Sequence, residues 1–406
     1  MRNTMNRKLR LGIIGSGYRS TLADYAHLPA DGVEIVAGTD IFPEQRAAFQ
    51  ERYRQKFGQT VRVYADYHEM IERENLDGVF ITTPDYCHEE QACYALRCHV
   101  PVYLEKPLAI TIEGADRILQ TAYDTRTALM AGHNMRHMEF TNRMRELILT
   151  GAIGEVKAIW CRHFISYGGD AYFRDWHADR SNTTSLLLQK GAHDIDIIHW
   201  LANARSVRVN GFGASSLYAG LARRPAGNGS PCPCVAEIRS QKAWPPESTA
   251  DYYPHISNED INMINMQLSN GVQASYMQCH FTPDACRNYT VIGTKGRLEN
   301  YGDTASTAAI QLWNKRSDAF HLEGTETIRL SGRDEKHVEA DRAIVKIFTD
   351  ILRGKAAPVS SPQSGRYAVA VGCCGAQSIR NGGNPFEIPA LPENLENCDF
   401  TFSQNI

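Results

Sequence analysis

Residues 9–20 read "LRLGIIGSGYRS". An apolar run the length of one strand ends on Gly15 and Gly17, and a polar stretch follows. In this pattern Gly15 allows a tight turn and Gly17 lets the backbone come close to a pyrophosphate. A helix expected to open here would turn unpaired N–H groups and its positive dipole end toward that anion. Ser20 stands where a third glycine or alanine is usual, and it is small enough to serve. The glycine pattern alone is weak, so its context decides the reading. Asp40 ends the next β-rich run, "VEIVAGTD" (33–40). A carboxylate about 20 residues past the glycines hydrogen-bonds the ribose hydroxyls and repels a 2′-phosphate. Ile41, Phe42 and Pro43 follow with no arginine among them, which favours NAD over NADP.

Working outward, "DGVFITTP" (77–84), "VPVYLEK" (100–106) and "TALMAGH" (127–133) are further strand candidates, separated by helix-compatible stretches such as "PEQRAAFQERYRQKFG". β–α alternation with nearly continuous apolar strands predicts a Rossmann-type, doubly wound parallel sheet over residues 1–135. Past residue 150 the rhythm changes. "EVKAIWCRHFISY" (155–167), "INMINMQLSNGVQASYMQCHF" (261–281) and "NYTVIGTKGRLEN" (288–300) alternate with period two, and Asn270-Gly271 is a hairpin signal. Helices are expected near 185–202, 337–353 and 363–380. Residues 136–406 therefore read as an α+β domain on one large open, mainly antiparallel sheet, its C-terminal helices free to pack back on the first domain. The Pro/Gly/Ser-rich stretch 222–258 reads as a long surface excursion.

Composition narrows the function classes. The 406 residues are 43% hydrophobic and 22% charged with net charge −3, an ordinary globular balance without a basic footprint for nucleic acid. The apolar run behind "MRNTMNRKLR" is too short for a signal-peptide core or a membrane span, so a cytoplasmic protein without membrane partners is expected. The 11 cysteines are scattered apart from "CPC" (232–234) and "CC" (373–374). They read as reduced thiols, and Cys232 with Cys234 makes only two ligands, so no metal site is expected.

Together, "GIIGSGY", "VFITTPDYCHEEQACYAL", "YLEKPLAIT" and "GAIGEV" resemble the glucose–fructose oxidoreductase/inositol dehydrogenase/MocA family over nearly the whole chain; TP-x3-H followed by EKP is specific for it. The resemblance implies the two-domain fold just read. It also implies NAD at the strand ends and a sugar or cyclitol between the nicotinamide and the second domain. By the same resemblance, Gly15, Gly17, Tyr18, Arg19, Asp40, Thr83, Pro84, His88, Glu105 and Lys106 hold the cofactor. Lys106 also contacts the substrate hydroxyl, aimed by a cis bond before Pro107. The family's Asp-x-x-x-His corresponds to "QKGAH", with Gln189 for the aspartate, His193 for the histidine and Lys190 as a further departure.

Magnitudes divide the roles. A lysine at pKa ~10.4 would need its pKa lowered by about three units, roughly 4 kcal/mol, to serve as a base near neutrality; a histidine at ~6.5 needs almost nothing. His193 is therefore the expected general base, charged Lys106 the group that polarises the oxygen, and Gln189 an orienting residue. The substrate candidates are Tyr172, Arg174, Trp176 and His177 in "YFRDWHADRSN" (172–182), Lys190, and, by resemblance to family elements, Arg136 in "GHNMRH" (132–137) and His337 in "KHVEAD" (336–341), where Asp341 follows one turn later. Aromatic faces and forked donors suit a polyhydroxylated ring. The leading expectation is an NAD-dependent dehydrogenase of a ring hydroxyl. The alternatives are a glycosidase of the same family that oxidises its sugar transiently and returns the hydride, and a dinucleotide-binding regulator without turnover. Alternating apolar residues in "INMINMQ" and "ASYMQCHF", with the resemblance, imply a homodimer or homotetramer packed through the second sheet.

Overall fold

The computed structural model describes residues 8–225, 244–249, 251–304, 307–330, 332 and 338–402; Cys232, Cys234 and His337 lie outside them. The chain forms two compact units. The first holds Met1–His137, His337–Arg366 and Leu391–Ile406, and the second holds Met138–Lys336 and Tyr367–Ala390.

In the first unit, β1 (Leu9–Ile14), β2 (Val33–Thr39), β3 (Arg62–Tyr64), β4 (Gly78–Ile81), β5 (Val102–Leu104) and β6 (Leu129–Ala131) pair in the order β3-β2-β1-β4-β5-β6, all parallel. Strands β4, β5 and β6 are buried throughout, as helices on both faces require. The order reverses between β1 and β4, and a crevice at the strand ends of such a switch point is where dinucleotides bind. The helix Val338–Leu352 belongs to this unit: Ile344, Phe348 and Ile351 join Leu11, Ile13, Phe80 and Tyr103 in one core, and the Phe348 and Phe80 rings lie 5.1 Å apart. Burying a side chain the size of Phe348 stabilises by about 1.5–3 kcal/mol.

The element after the glycines differs from expectation: Tyr18–Ala26 is a 3-10 helix, not an α-helix. The hydroxyls of Ser20 and Thr21 donate to carbonyls of Gly17 and Tyr18, three residues back, in competition with the backbone's own bonds.

In the second unit, β7 (Val156–Phe164), β8 (Ser206–Ala214), β9 (Ile261–Leu268), β10 (Gln273–Cys279), β11 (Cys286–Gly293), β12 (Gly296–Tyr301), β13 (Ala309–Trp313), β14 (Glu326–Arg329) and β15 (Phe386–Glu387) form one sheet, ordered β14-β13-β12-β11-β7-β10-β9-β8-β15. Asn270-Gly271 does turn the β9–β10 hairpin, with Gly271 at φ +86°. The sheet is mainly antiparallel, as expected, with β7 and β10 running parallel. These strands are over a hundred residues apart in the chain, and an intervening crossover leaves direction free, as a tight hairpin does not. β9 buries Asn262, Ile264, Met266 and Leu268, while Met263, Asn265 and Gln267 face outward. On the open face Trp160, Phe212 and Met263 are exposed, and a groove of about 580 Å3 there contains none of the expected site residues. The helix Gly191–Ala202 packs on the other face, against β7 and β10.

Candidate active site

In the first unit the expected cofactor residues gather where parallel strands end. Gly15 follows β1 with φ +86°, and a Cβ there would stand 2.6 Å from Thr83 Cγ2 and 2.9 Å from the Thr83 backbone nitrogen. The fold itself thus demands this glycine. Gly17 differs: its φ is −66°, and a Cβ would meet no protein atom within 4 Å. Neither strain nor crowding accounts for it, and the close approach of a bound pyrophosphate does. The residues fit a dinucleotide on that ground. Asp40 follows β2, its Oδ2 accepting from the Ser16 backbone N–H at 3.0 Å and hydroxyl at 3.2 Å, and its Oδ1 from the Phe42 N–H at 3.1 Å. Tyr18 is exposed, and Thr83 and Pro84 are half-buried after β4.

The TP-x3-H…EKP pattern is a joint. Buried His88 sets Nδ1 2.7 Å from the Pro107 carbonyl oxygen and Nε2 3.0 Å from that of Thr83, tying the turn after β4 to the turn after β5. Lys106, half-buried, stands on that second turn, and its bond to Pro107 is cis. Arg19 and Glu105 bond each other: Arg19 Nε donates to Glu105 Oε1 at 2.8 Å, while its Nη1 and Nη2 donate to Asp341 at 2.7 and 3.0 Å. Asn134 also donates to Asp341, at 2.8 Å. The arginine and both acids thereby hold the glycine loop to the start of the helix Val338–Leu352. Arg136 is buried too, donating to the Val359 carbonyl at 2.7 Å.

In the second unit the expected helix 185–202 is divided. Leu186–Gln189 and Gly191–Ala202 are separate, with Lys190 between them at φ −96°, ψ −41°. His193 is half-buried, whereas Asp194 beside it is fully buried. The Asp194 carboxylate accepts from Arg287 Nε at 3.0 Å and from the Tyr276 hydroxyl at 3.1 Å, lies 2.9 Å from His163 Nδ1, and takes a further bond from the Tyr289 hydroxyl. Burial alone would push the Asp194 carboxyl up; Arg287 and His163 more than reverse this and hold it well below the usual carboxylate range. Burial, with the Arg287 charge, pushes His163 down to about 3.

The segment 172–182 lies near Lys190. The Tyr172 ring is 5.2 Å from the His177 ring and 6.3 Å from that of Tyr167; the Trp176 ring stacks on His177 at 3.7 Å. Lys190 Nζ bonds the Tyr167 hydroxyl at 3.1 Å. Arg174 donates to Asp251 at 2.7 Å, with Asp170 at 3.7 Å. Gln189 is buried. Among the described residues no group of three or more His, Cys, Asp or Glu side chains is placed to hold a metal, and no helix is long and apolar enough to cross a membrane.

Comparison with known families resolves what this arrangement is. The NAD-binding Rossmann fold of the GFO/IDH/MocA oxidoreductases matches residues 9–133, and the C-terminal alpha/beta domain of the same family matches residues 145–388. The chain is a Gfo/Idh/MocA oxidoreductase. YteT of Bacillus subtilis is 23% identical over 345 residues, 75% of this chain and 80% of that protein. The inositol 2-dehydrogenase of Klebsiella pneumoniae subsp. pneumoniae is 30% identical over 210 residues, 50% of this chain and 57% of the relative, so the chain spans only about half the length of that enzyme. A levoglucosan dehydrogenase solved with NADH and levoglucosan superposes with TM-score 0.75 at 17% identity, covering 95% of this chain and 100% of that one.

The first unit of this Gfo/Idh/MocA oxidoreductase is thus an NAD-binding domain. Two features, one in each unit, lay outside the sequence reading. Arg46, on the first turn of the helix Pro43–Phe57, donates from Nη1 to the carbonyls of Asp40 at 2.6 Å and Ile41 at 3.1 Å, so a guanidinium does sit behind Asp40 although no arginine follows it directly. The only hint was helical spacing past Pro43. The buried Asp194 network was hinted at by two acids, Asp194 and Asp196, inside the otherwise apolar "AHDIDII".

Proposed function

We propose that the protein oxidises a ring hydroxyl of a sugar, glycoside or cyclitol, with His193 accepting the hydroxyl proton and Lys106 holding the reacting oxygen. Bound NAD supplies the hydride acceptor. The observation that carries this reading is the setting of His193: at the start of its helix, next to a carboxylate fixed by four side chains, it is only half-buried and departs from an anchored backbone. A base whose ordinary pKa is ~6.5 needs no tuning for this task. Lys106, next to the anchored Glu105, contributes a positive charge where alkoxide character develops. The names of the relatives support a polyhydroxylated ring as substrate.

The test is absorbance at 340 nm with NAD in excess over enzyme and a panel of cyclitols, aldoses and glycosides, run beside His193→Ala. Net NADH formation is expected, with a loss of about 10²–10⁴-fold in kcat for the variant and an unchanged melting temperature. Aglycone release without net NADH would instead establish the transient-oxidation glycosidase. Full turnover by the folded variant would remove His193 from its role.

A further inference from the structure

Resting on that reading, we infer that the substrate carries a carboxylate and that Lys190 is the residue that selects it. Lys190 is 9% exposed, at the break between Leu186–Gln189 and Gly191–Ala202, three residues before His193. Its ammonium lies 5.3 Å from the centre of the Tyr167 ring and 5.5 Å from that of Tyr172, with the Tyr167 hydroxyl its one hydrogen-bond partner among the described residues. An ammonium has three donors, so two remain unused. No carboxylate among the described residues pairs with it. Asp194, four residues on, is taken by Arg287 and His163, and Arg287 also has Asp303 at 3.5 Å. Gln189, immediately before, carries no charge.

A nearly buried cation without a counter-ion is costly, and natural interiors pair such charges. Losing the charge would be one escape, but Lys190 does not take it. Burial works against its ammonium, and the Tyr167 and Tyr172 phenols more than offset this, leaving its pKa above the ordinary lysine value. A second group points the same way. His280 is fully buried with its ring edge-on to Tyr172 at 5.2 Å, and neither ring nitrogen has a hydrogen-bond partner among the described residues. An ammonium walled by aromatic rings, with unused donors and no paired carboxylate, matches a monoanion on a sugar-sized ring. The apolar faces of Tyr172 and Trp176 serve the ring, and Lys190 serves the carboxylate. One lysine is a poor match for a phosphate dianion, which usually draws several donors and more than one positive charge. The substrate is therefore a uronic acid, a uronoside or a carboxylated cyclitol.

The test compares D-glucuronate, D-galacturonate, D-glucose, D-galactose and D-glucose 6-phosphate by initial rates of NADH formation and by calorimetric binding to the NAD-loaded enzyme. Proteins are wild type, Lys190→Met and Lys190→Arg, each checked by thermal melting. A charged hydrogen bond in such a site corresponds to at least about 10-fold in affinity. The wild type is expected to favour a uronate over its neutral parent by that factor. Lys190→Met should erase the preference chiefly through KM, and Lys190→Arg should keep part of it. Uronate binding that depends on Lys190 without NADH formation would uphold this inference while refuting the ring-hydroxyl oxidation. Equal or better use of the neutral sugars, preference for the phosphate, absence of uronate binding, or a preference untouched in folded Lys190→Met would overturn it.

Discussion

Replacing Gly17 by alanine separates what the fold needs from what the cofactor needs. At φ −66° and ψ −167° an alanine is allowed, and its Cβ would meet no protein atom within 4 Å. Without ligand, Gly17→Ala should therefore stabilise the protein by about 0.4–1 kcal/mol, through the lower entropy of the unfolded chain. With NAD the sign reverses. The methyl group would occupy the approach to the backbone, and losing one hydrogen bond to a charged group costs about 1.5–3 kcal/mol, or ~10- to 150-fold in Kd. The assay is thermal unfolding with and without NAD. At a concentration 100 times the wild-type Kd, NAD stabilises the wild type by about 2.7 kcal/mol; a variant binding 100-fold more weakly gains only about 0.4 kcal/mol. Gly15→Ala is the control, because its φ of +86° and the 2.6 Å approach to Thr83 predict destabilisation before any ligand is added. A Gly17→Ala protein that melts lower without NAD, or that NAD stabilises as much as wild type, would refute the reasoning.

Two further outcomes follow from buried charge and from Arg46. The folded His163 titrates near 3, against ~6.5 in the unfolded chain, so its contribution is whole above pH 6.5 and is lost as pH falls toward 3. Between pH 7 and 5 this amounts to about 2 kcal/mol. Urea unfolding of His163→Asn, which keeps a donor near Nδ1, should show that much less acid sensitivity, and equal sensitivity in both proteins would contradict it. For cofactor choice, Asp40→Ser removes the carboxylate but leaves Arg46 held on the carbonyls of residues 40 and 41. The ratio of kcat/KM for NADP to that for NAD should rise at least ~10-fold, the worth of one charge-assisted bond. Adding Arg46→Ala should cancel the rise; if it does not, Arg46 has no part in selectivity.

What could be read from the sequence was local. The glycine loop and the hairpin at Asn270-Gly271 are each set by residues a few positions apart, where backbone sterics act, whereas the run from TP to EKP was legible through the family resemblance and is joined by His88 across 19 positions. The parallel, doubly wound character of the first unit's sheet followed from the β–α rhythm, because helical crossovers join parallel strands. Among the strands not read from the sequence, Arg62–Tyr64 has three residues, Glu326–Arg329 is largely exposed, and Ser206–Ala214, though nine residues long, lacks a regular period-two burial pattern. The pairing of Arg19 with Asp341 spans 322 positions, and no local pattern encodes it. Arg174, expected by type and placement to meet the substrate, has an ion-pair partner in Asp251, 77 positions on, that no local pattern encodes. Charges are the least legible residues because their partners are chosen in three dimensions.

The two residues assigned to the chemistry share a construction that bears on how their variants behave. Lys106 follows Glu105, and His193 precedes Asp194. In each case the neighbouring carboxylate is buried and bonded to an arginine, Arg19 in one unit and Arg287 in the other, with tyrosine hydroxyls completing the set. Such an anchor fixes the main chain from which the working side chain departs. Removing one partner of a buried ion pair costs about 3–5 kcal/mol, because the other charge is left stranded. Glu105→Gln or Asp194→Asn would therefore lower turnover together with the melting temperature, whereas Lys106 and His193 variants should lower turnover alone. Position and chemistry are assigned to adjacent residues, so a loss of rate locates the reacting group only when stability is measured beside it.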